Sequence, residues 1–261
     1  MPRVRMTIAY IGTGFAGWQI QAASDREPPR TVQGELEAAL ADLLGHPVRV
    51  HASGRTDAGV HADGQVVHFD VEDGAAGINW ARALQRRLPP EISIVEAAPA
   101  ADDFHARFSC RGKIYTYCLW LGREYVPPRL KNFAWACGPL DMEQMEQCAA
   151  MLLGEHDFAG FRNVGTPVAD TVRLLESIKH FYLPLPGEAA LPQEPQYLAW
   201  RFQGNGFLKQ MVRNLMGFLV YAGRGRVGPA EALRVLESGD RALVEFPTAP
   251  ACGLTLTEAL Y

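Results

Sequence analysis

The chain has 261 residues, of which 48% are hydrophobic and 21% charged, and its formal net charge is −4. This is ordinary globular composition, long enough for one large domain or two of about 130 residues, and it needs no staples to form a core. The five cysteines, Cys110, Cys118, Cys137, Cys148 and Cys252, are odd in number and form no C-x-x-C pair, which argues against a disulfide framework or a zinc knuckle and for reduced thiols in the cytoplasm.

The first segment, VRMTIAYIG (4–12), is rich in β-branched and aromatic residues and predicts a strand. Turn-rich QAASDREPPR (21–30) follows. Thr31 then predicts the cap of a helix that carries Val32, Leu36, Ala39, Leu40 and Leu43 on one face and ends at Gly45. Strand VRVHA (48–52), the glycine-rich loop of HASGRTDAGVHADGQVVHFD (51–70) and strand QVVHFDV (65–71) come next. Asn79 caps a second helix, WARALQRRL, which Pro89 and Pro90 stop, and ISIVEAA is a further strand. The order is β-α-β-β-α-β.

From about residue 106 the order returns: strand 113–121, helix 142–154, strands 172–183 and 197–202, helix 207–223 and a final strand 253–260. PAEALRVLESG (229–239) adds an amphipathic helix, and PLPGEAALPQEP (184–195) is a proline-rich excursion. The pattern predicts two halves, 1–105 and 106–261, each an antiparallel sheet with helices on one face and the other face open around a common cleft. The longest apolar stretch, LMGFLVYAG, falls far short of a bilayer span, so no membrane association is expected.

Charge is unevenly distributed. Residues 107–131 hold Arg107, Arg111, Lys113, Arg123, Arg129 and Lys131 against Glu124 alone, and 201–226 hold Arg201, Lys209, Arg213, Arg224 and Arg226 with no acid. In an acidic chain, two such windows suggest a localised basic cleft for a polyanion. Arginine outnumbers lysine by 21 to 4, which suits bidentate phosphate contacts, although genomic composition explains the bias as readily.

Residues 51–70 concentrate His51, His61, His68, Asp57, Asp63 and Asp70 among glycines. A metal site is one reading, but no H-x-x-x-H or H-E-x-x-H spacing aims two ligands at one ion. His68 and Asp70 share a strand face with Val66, opposite Val67, Phe69 and Val71, which makes them more simply the polar side of a half-buried sheet. Asp57 differs in kind. It lies two residues from Arg55 in a turn bracketed by Gly54 and Gly59, where backbone can approach a ligand, although an aspartate that caps its own turn is the commoner use.

SGRTDAGVHADGQVVHF resembles the signature loop of transfer RNA pseudouridine synthases of the TruA type, whose G-R-T-D-x-G-V-H aspartate is the nucleophile, here Asp57. AYIGTGFAGWQIQ (9–21) is similar to the family's Y-D-G-T-x-F-x-G-W-Q-x-Q, with Ile11 where aspartate is usual. RFSCRGKIYTYCLW resembles the block ending R-x-Y-x-Y, with Lys113 replacing its arginine and Tyr115 in the place of its active-site tyrosine. EHDFAGFRN, GNGFLKQMVRNLMG and APACGLTL resemble its later blocks.

The resemblance implies an α+β fold of two ferredoxin-like (β-α-β-β-α-β) halves around a central cleft, in a homodimer that isomerises uridine to pseudouridine in the anticodon stem-loop of tRNA at positions 38, 39 and 40. It places the aspartate loop in the first half and the tyrosine and arginine of the site in the second. It implies neither metal nor organic cofactor, since the N1–C1′ bond broken and the C5–C1′ bond made belong to one nucleotide. It assigns catalysis to Asp57, Tyr115 and Arg213, with Arg213 holding the carboxylate ionised and Arg55 filling the place of the flipped base. Gly54, Thr56, Lys113, Arg224 and Arg226 are expected to join Arg55 and Tyr115 in binding substrate. A noncatalytic RNA-binding module would need only the basic faces, and a metal-dependent hydrolase would need three of the His and Asp groups to converge.

Overall fold

A computed structural model describes residues 1–21, 28–75, 77–123, 125–163, 169–187, 195–241 and 246–261. The chain divides into two compact units, one of Met1–Arg111 with Thr255–Tyr261 and the other of Gly112–Leu254.

In the first unit, β1 (Arg3–Tyr10) alternates strictly, burying Val4, Met6, Ile8 and Tyr10. It is flanked by β4 (Ile92–Ala100) and β3 (His61–Asp70), both antiparallel to it, with Thr7 opposite Val66 on one side and Glu96 on the other. Helix α1 (Val32–Leu44) starts where the Thr31 side chain accepts the Gly34 N–H, and it ends at Gly45, whose φ of 77° only glycine adopts at little cost. Helix α2 (Trp80–Gln85), capped by Asn79, meets the sheet through Trp80, whose ring stands edge-on to Phe69 at 5.2 Å.

The strand expected over 48–52 is reduced to β2 (His51–Ala52), which pairs with the C-terminal part of β3. The N-terminal part of β3 pairs in parallel with β10 (Leu254–Leu260), Thr255 lying opposite His61. This pairing sets Thr255–Tyr261 in the first unit, whereas the sequence pattern alone places them with residues 106–261. Two hydrogen bonds anchor the strand there, from Arg111 N–H to the Leu260 carbonyl and from the Tyr261 hydroxyl to the Ala106 carbonyl.

The second unit has sheet order β5 (Gly112–Trp120), β9 (Tyr197–Gly204), β8 (Val172–Tyr182), β7 (Gly154–Asp157), antiparallel throughout, with β6 (Trp135–Ala136) parallel to the end of β5. The polar sequence GEHD of β7 gives no strand signal, and backbone pairing with β8 creates it. Helices α3 (Met142–Ala150), α4 (Met211–Gly223) and α5 (Pro229–Ser238) complete the unit. Helix α4 begins at Met211 instead of Phe207, because Gln210 takes a left-handed φ of 61° that interrupts any helix running through it. Among its described residues only Arg213 and Tyr221 escape burial, so α4 is a core helix and not an amphipathic one. The fold is mixed α+β, with sheets that are mostly antiparallel.

Candidate active site

The loop from Ser53 to Gly59 leaves β2 and turns back into β3, and its backbone is fixed from three directions. From the β3 side, the Ser53 hydroxyl donates to Gln65 Oε1 at 2.6 Å and Gln65 Nε2 donates to the Gly54 carbonyl at 2.7 Å. From β1, the Tyr10 hydroxyl shares a buried 2.8 Å hydrogen bond with the Thr56 hydroxyl. Burial pushes the Tyr10 pKa up to about 12, so this phenol remains neutral at physiological pH. From the segment after β1, Trp18 N–H donates to the Thr56 carbonyl and Gly59 N–H to the Phe15 carbonyl.

Two glycines of that segment make the approach possible. A Cβ on Gly12 would lie 2.0 Å from the Val60 carbonyl oxygen, and one on Gly17, whose φ is +97°, would lie 2.8 Å from the Thr56 oxygen. Both positions therefore require glycine by contact, and Gly17 by conformation as well. The similarity of residues 9–21 to a known motif has this physical content: the segment is the bed on which the Asp57 loop lies.

On this bed the loop holds Asp57 partly exposed, Arg55 exposed, and Thr56 between them turned into the core. The Thr56 hydroxyl is thus committed to Tyr10, and its expected contribution to substrate contact falls to its backbone. Gly54 is half-buried at the start of the loop. A partly exposed carboxylate on a firmly held turn is placed to meet a ligand, as a nucleophile or base must be.

The other polar residues of 51–70 are engaged separately. His61 Nδ1 accepts the Gly12 N–H at 3.1 Å, and Asp70 forms a bidentate pair with Arg3 at 2.7 and 3.0 Å. His68 was expected on the polar side of a half-buried sheet, but it is only 2% exposed because residues 104–106 cross that face. Its Nδ1 accepts the Ala106 N–H, and its ring stacks on His51 at 5.0 Å and meets His105 at 4.6 Å. Among the described residues no three His, Cys, Asp or Glu side chains are grouped to hold a metal ion.

In the second unit, Lys113 and Tyr115 stand on β5 two residues apart, opposite Gly204 and Phe202 of β9. The Tyr115 ring is nearly buried and meets Phe207 edge-on at 5.1 Å, which fixes its plane. Arg213 lies in the first turn of α4, where its Nε donates to the Ala249 carbonyl at 2.7 Å while Ala249 N–H donates back to the Arg213 carbonyl. Burial raises the Tyr117 and Cys252 pKa values, and the positive charge of Arg213 opposes part of that rise. Arg224 and Arg226 are exposed beyond the other end of α4; eleven residues of helix put Arg224 roughly 16 Å along the axis from Arg213.

Three distant sequence blocks meet around α4. Asn214, buried beside Arg213, donates to the Phe161 carbonyl at 2.8 Å and accepts from the Thr248 hydroxyl at 2.6 Å. Asn163 N–H donates to the Lys209 carbonyl, and Gly217 lets the Pro247 carbonyl approach to where a Cβ would sit 2.0 Å away. EHDFAGFRN, MVRNLMG and APACG thus form one support that aims Arg213. Tyr10, Gln65 and Asn214 escape a reading by residue type, since each is an ordinary polar residue until its partner is seen; only the buried-strand position of Tyr10 hinted that its hydroxyl needs one.

A family model described as tRNA pseudouridine synthase matches residues 6–109 and 148–261. Among curated proteins, the chain is 48% identical to a tRNA pseudouridine synthase A of Nitratidesulfovibrio vulgaris, over all of both chains. It is also 48% identical to one from Solidesulfovibrio magneticus, covering all of this chain and 92% of that one, and 42% identical to one from Lawsonia intracellularis over all of both.

Proposed function

The chain belongs to the tRNA pseudouridine synthase family, and from that membership we propose which residues carry the reaction and where on the RNA it occurs. The enzyme is an isomerase that converts uridine to pseudouridine in tRNA. We assign the target to the anticodon stem-loop, at positions 38, 39 and 40, and the working form to a homodimer in the cytoplasm. No disulfide joins any of the five cysteines, in keeping with that compartment, and among the described residues no helix is long and apolar enough to cross a membrane.

A base stacked in a stem cannot be reached, so the target nucleotide is flipped out at a cost of roughly a few kcal/mol. Arg55, exposed on the loop, takes the vacated place by stacking its planar guanidinium. Asp57 acts on the flipped nucleotide as nucleophile or base. The N1–C1′ bond breaks, the base turns, the C5–C1′ bond forms, and the C5 proton leaves while N1 takes one up, so no oxidant or added group is needed. Arg213 supplies positive charge to the reaction, and Tyr115 stacks on the uracil with its hydroxyl near the migrating proton. Gly54, Thr56, Lys113, Arg224 and Arg226 supply the surrounding RNA contacts, Thr56 through its backbone.

The observation that carries this reading is the immobilised Ser53–Gly59 loop, which raises Asp57 above a scaffold of Tyr10, Gly12, Gly17 and Gln65. The test is tritium release from a tRNA transcript labelled at uridine C5, beside filter binding of the same RNA. Asp57→Asn and Asp57→Ala are expected to lose turnover while the dissociation constant stays within about tenfold, because binding rests on dispersed phosphate contacts. An Asp57→Asn protein that releases tritium at the wild-type rate would overturn the assignment. A wild-type protein that binds the transcript without releasing tritium would favour the binding-module reading.

A further inference from the structure

The Phe108 side chain is 77% exposed, in a segment that is otherwise firmly held. His105 and Ser109 exchange hydrogen bonds at 2.8 and 3.0 Å, and the Arg107 and Phe108 N–H groups both point at His105 Nδ1. Ala106 is tied to His68 through its N–H and to Tyr261 through its carbonyl, while Arg3 donates to the Asp102 and Phe104 carbonyls. A mobile loop could fold an apolar ring away from water. This one presents it rigidly, so its apolar surface stays in water until a partner covers it.

The surroundings define what would cover it. The His105 ring backs Phe108 at 4.3 Å, and the exposed Arg107 guanidinium lies 5.7 Å from the ring centroid. Arg111 is exposed three residues on, whereas the acids of the segment, Asp102 and Asp103, bear on Arg3. The neighbouring apolar groups Phe104, Cys110 and Tyr261 are packed into the protein, so a single ring stands out among cations. That is too little apolar area for a stable protein interface, whose core is also depleted of charge, but it matches the platforms on which unpaired bases stack beside a neutralised backbone.

We propose that Phe108 is a stacking platform for an unpaired base of the RNA substrate, with Arg107 and Arg111 neutralising the adjacent phosphates. This rests on the reading of tRNA as substrate and adds a contact with a particular chemistry, which is sequence-tolerant and insensitive to salt.

The test combines the tritium assay with filter binding at several salt concentrations. Phe108→Ala and Phe108→Leu should raise the dissociation constant for the transcript by roughly five- to a hundredfold, the worth of one stack, and raise KM more than they lower kcat. The slope of log Kd against log salt should stay as in the wild type, since no phosphate contact is lost, while Arg107→Ala should make that slope shallower by somewhat less than one. Phe108→Tyr and Phe108→Trp should restore affinity, and the added tryptophan should be quenched by RNA beyond the wild-type signal. If wild type is active and Phe108→Ala or Phe108→Leu binds the transcript as tightly, the platform is overturned while the reading of function stands. Loss of dimer by light scattering in Phe108→Leu, with an unquenched Phe108→Trp, would assign the ring to a second copy of the chain and overturn it too. A wild type that releases no tritium would instead overturn the function, and quenching of Phe108→Trp would still decide whether RNA covers the ring.

Discussion

The hydroxyls of Tyr10 and Thr56 share a buried hydrogen bond of 2.8 Å, so a residue of the central strand β1 holds the residue that precedes Asp57. Tyr10→Phe leaves the buried Thr56 hydroxyl without this partner and should lower stability by about 1–2 kcal/mol. Because the lost bond orients the Asp57 loop, kcat should fall more than KM rises. Urea unfolding and tritium release on the same preparation check both, and unchanged kcat with reduced stability would restrict Tyr10 to a structural role.

Gly17 and Gly45 both have left-handed φ, +97° and +77°, but only Gly17 has neighbours that a Cβ would strike. Gly45→Ala should cost roughly 1–2 kcal/mol from backbone strain alone and keep wild-type turnover. Gly17→Ala adds the contact with the Thr56 carbonyl, so it should be less stable and lose most turnover by moving the Asp57 loop. Equal behaviour of the two variants in thermal melts and activity would show that the approach of the two segments is unimportant.

Arg213 is predicted to act through both its charge and its fixed plane, the plane being set by the Nε bond to Ala249. Arg213→Ala should nearly abolish turnover, and Arg213→Lys, which keeps the charge without the planar fork, should recover only a fraction of it. Tyr115→Phe retains the ring on Phe207 and should bind transcript normally while losing turnover. Single-turnover rates with saturating enzyme separate these losses from binding.

Transcript affinity should fall steeply with salt as phosphates are neutralised and counterions released. Charge reversal at Arg224 or Arg226, both exposed, should weaken binding and reduce the salt slope. Arg234 on α5 already pairs with Glu231 at 2.8 Å, and Arg234→Glu should change little. Filter binding across a salt series decides, and equal effects of all three reversals would remove the special standing of Arg224 and Arg226.

Acid should destabilise the first unit through its imidazoles. Burial, helped by the charges of His105, Arg3 and His51, pushes the His68 pKa down to about 4, and His105 is shifted down as well, chiefly by burial. An unfolded histidine titrates near 6.5, so between about 6.5 and 4 the unfolded chain binds more protons than the folded one. The contribution of His68 is therefore fully present above pH 6.5 and is lost as pH falls towards 4, at roughly 1.4 kcal/mol per pH unit at most. His68→Gln keeps an acceptor for the Ala106 N–H and should flatten the pH dependence of the urea midpoint over that window, with the wild type showing the steeper fall.

The amino-acid sequence by itself determined the elements whose signals are local. The strict alternation of β1 follows from one face meeting a core, and the bounds of α1 follow from the Thr31 cap and Gly45. The motif around Asp57 named the loop, and its bracketing glycines were read as bringing backbone near a ligand, not near another segment of the chain. Tertiary structure alone decided what approaches there: the Gly12–Gly17 segment, whose fit to Val60 and Thr56 depends on pairings between residues some forty positions apart.

It likewise decided that 48–52 is a two-residue strand, that GEHD is a strand at all, and that Thr255 and Leu256 pair with β3. Backbone hydrogen bonds of this kind carry no side-chain pattern, so nothing in composition marks them. The same holds for His68, read as half-exposed from its alternation but buried because a segment almost forty residues away crosses its face. Local periodicity reports that a face differs from its opposite; which face is covered, and by what, is fixed only when distant parts of the chain compete to remove apolar surface and satisfy their polar groups.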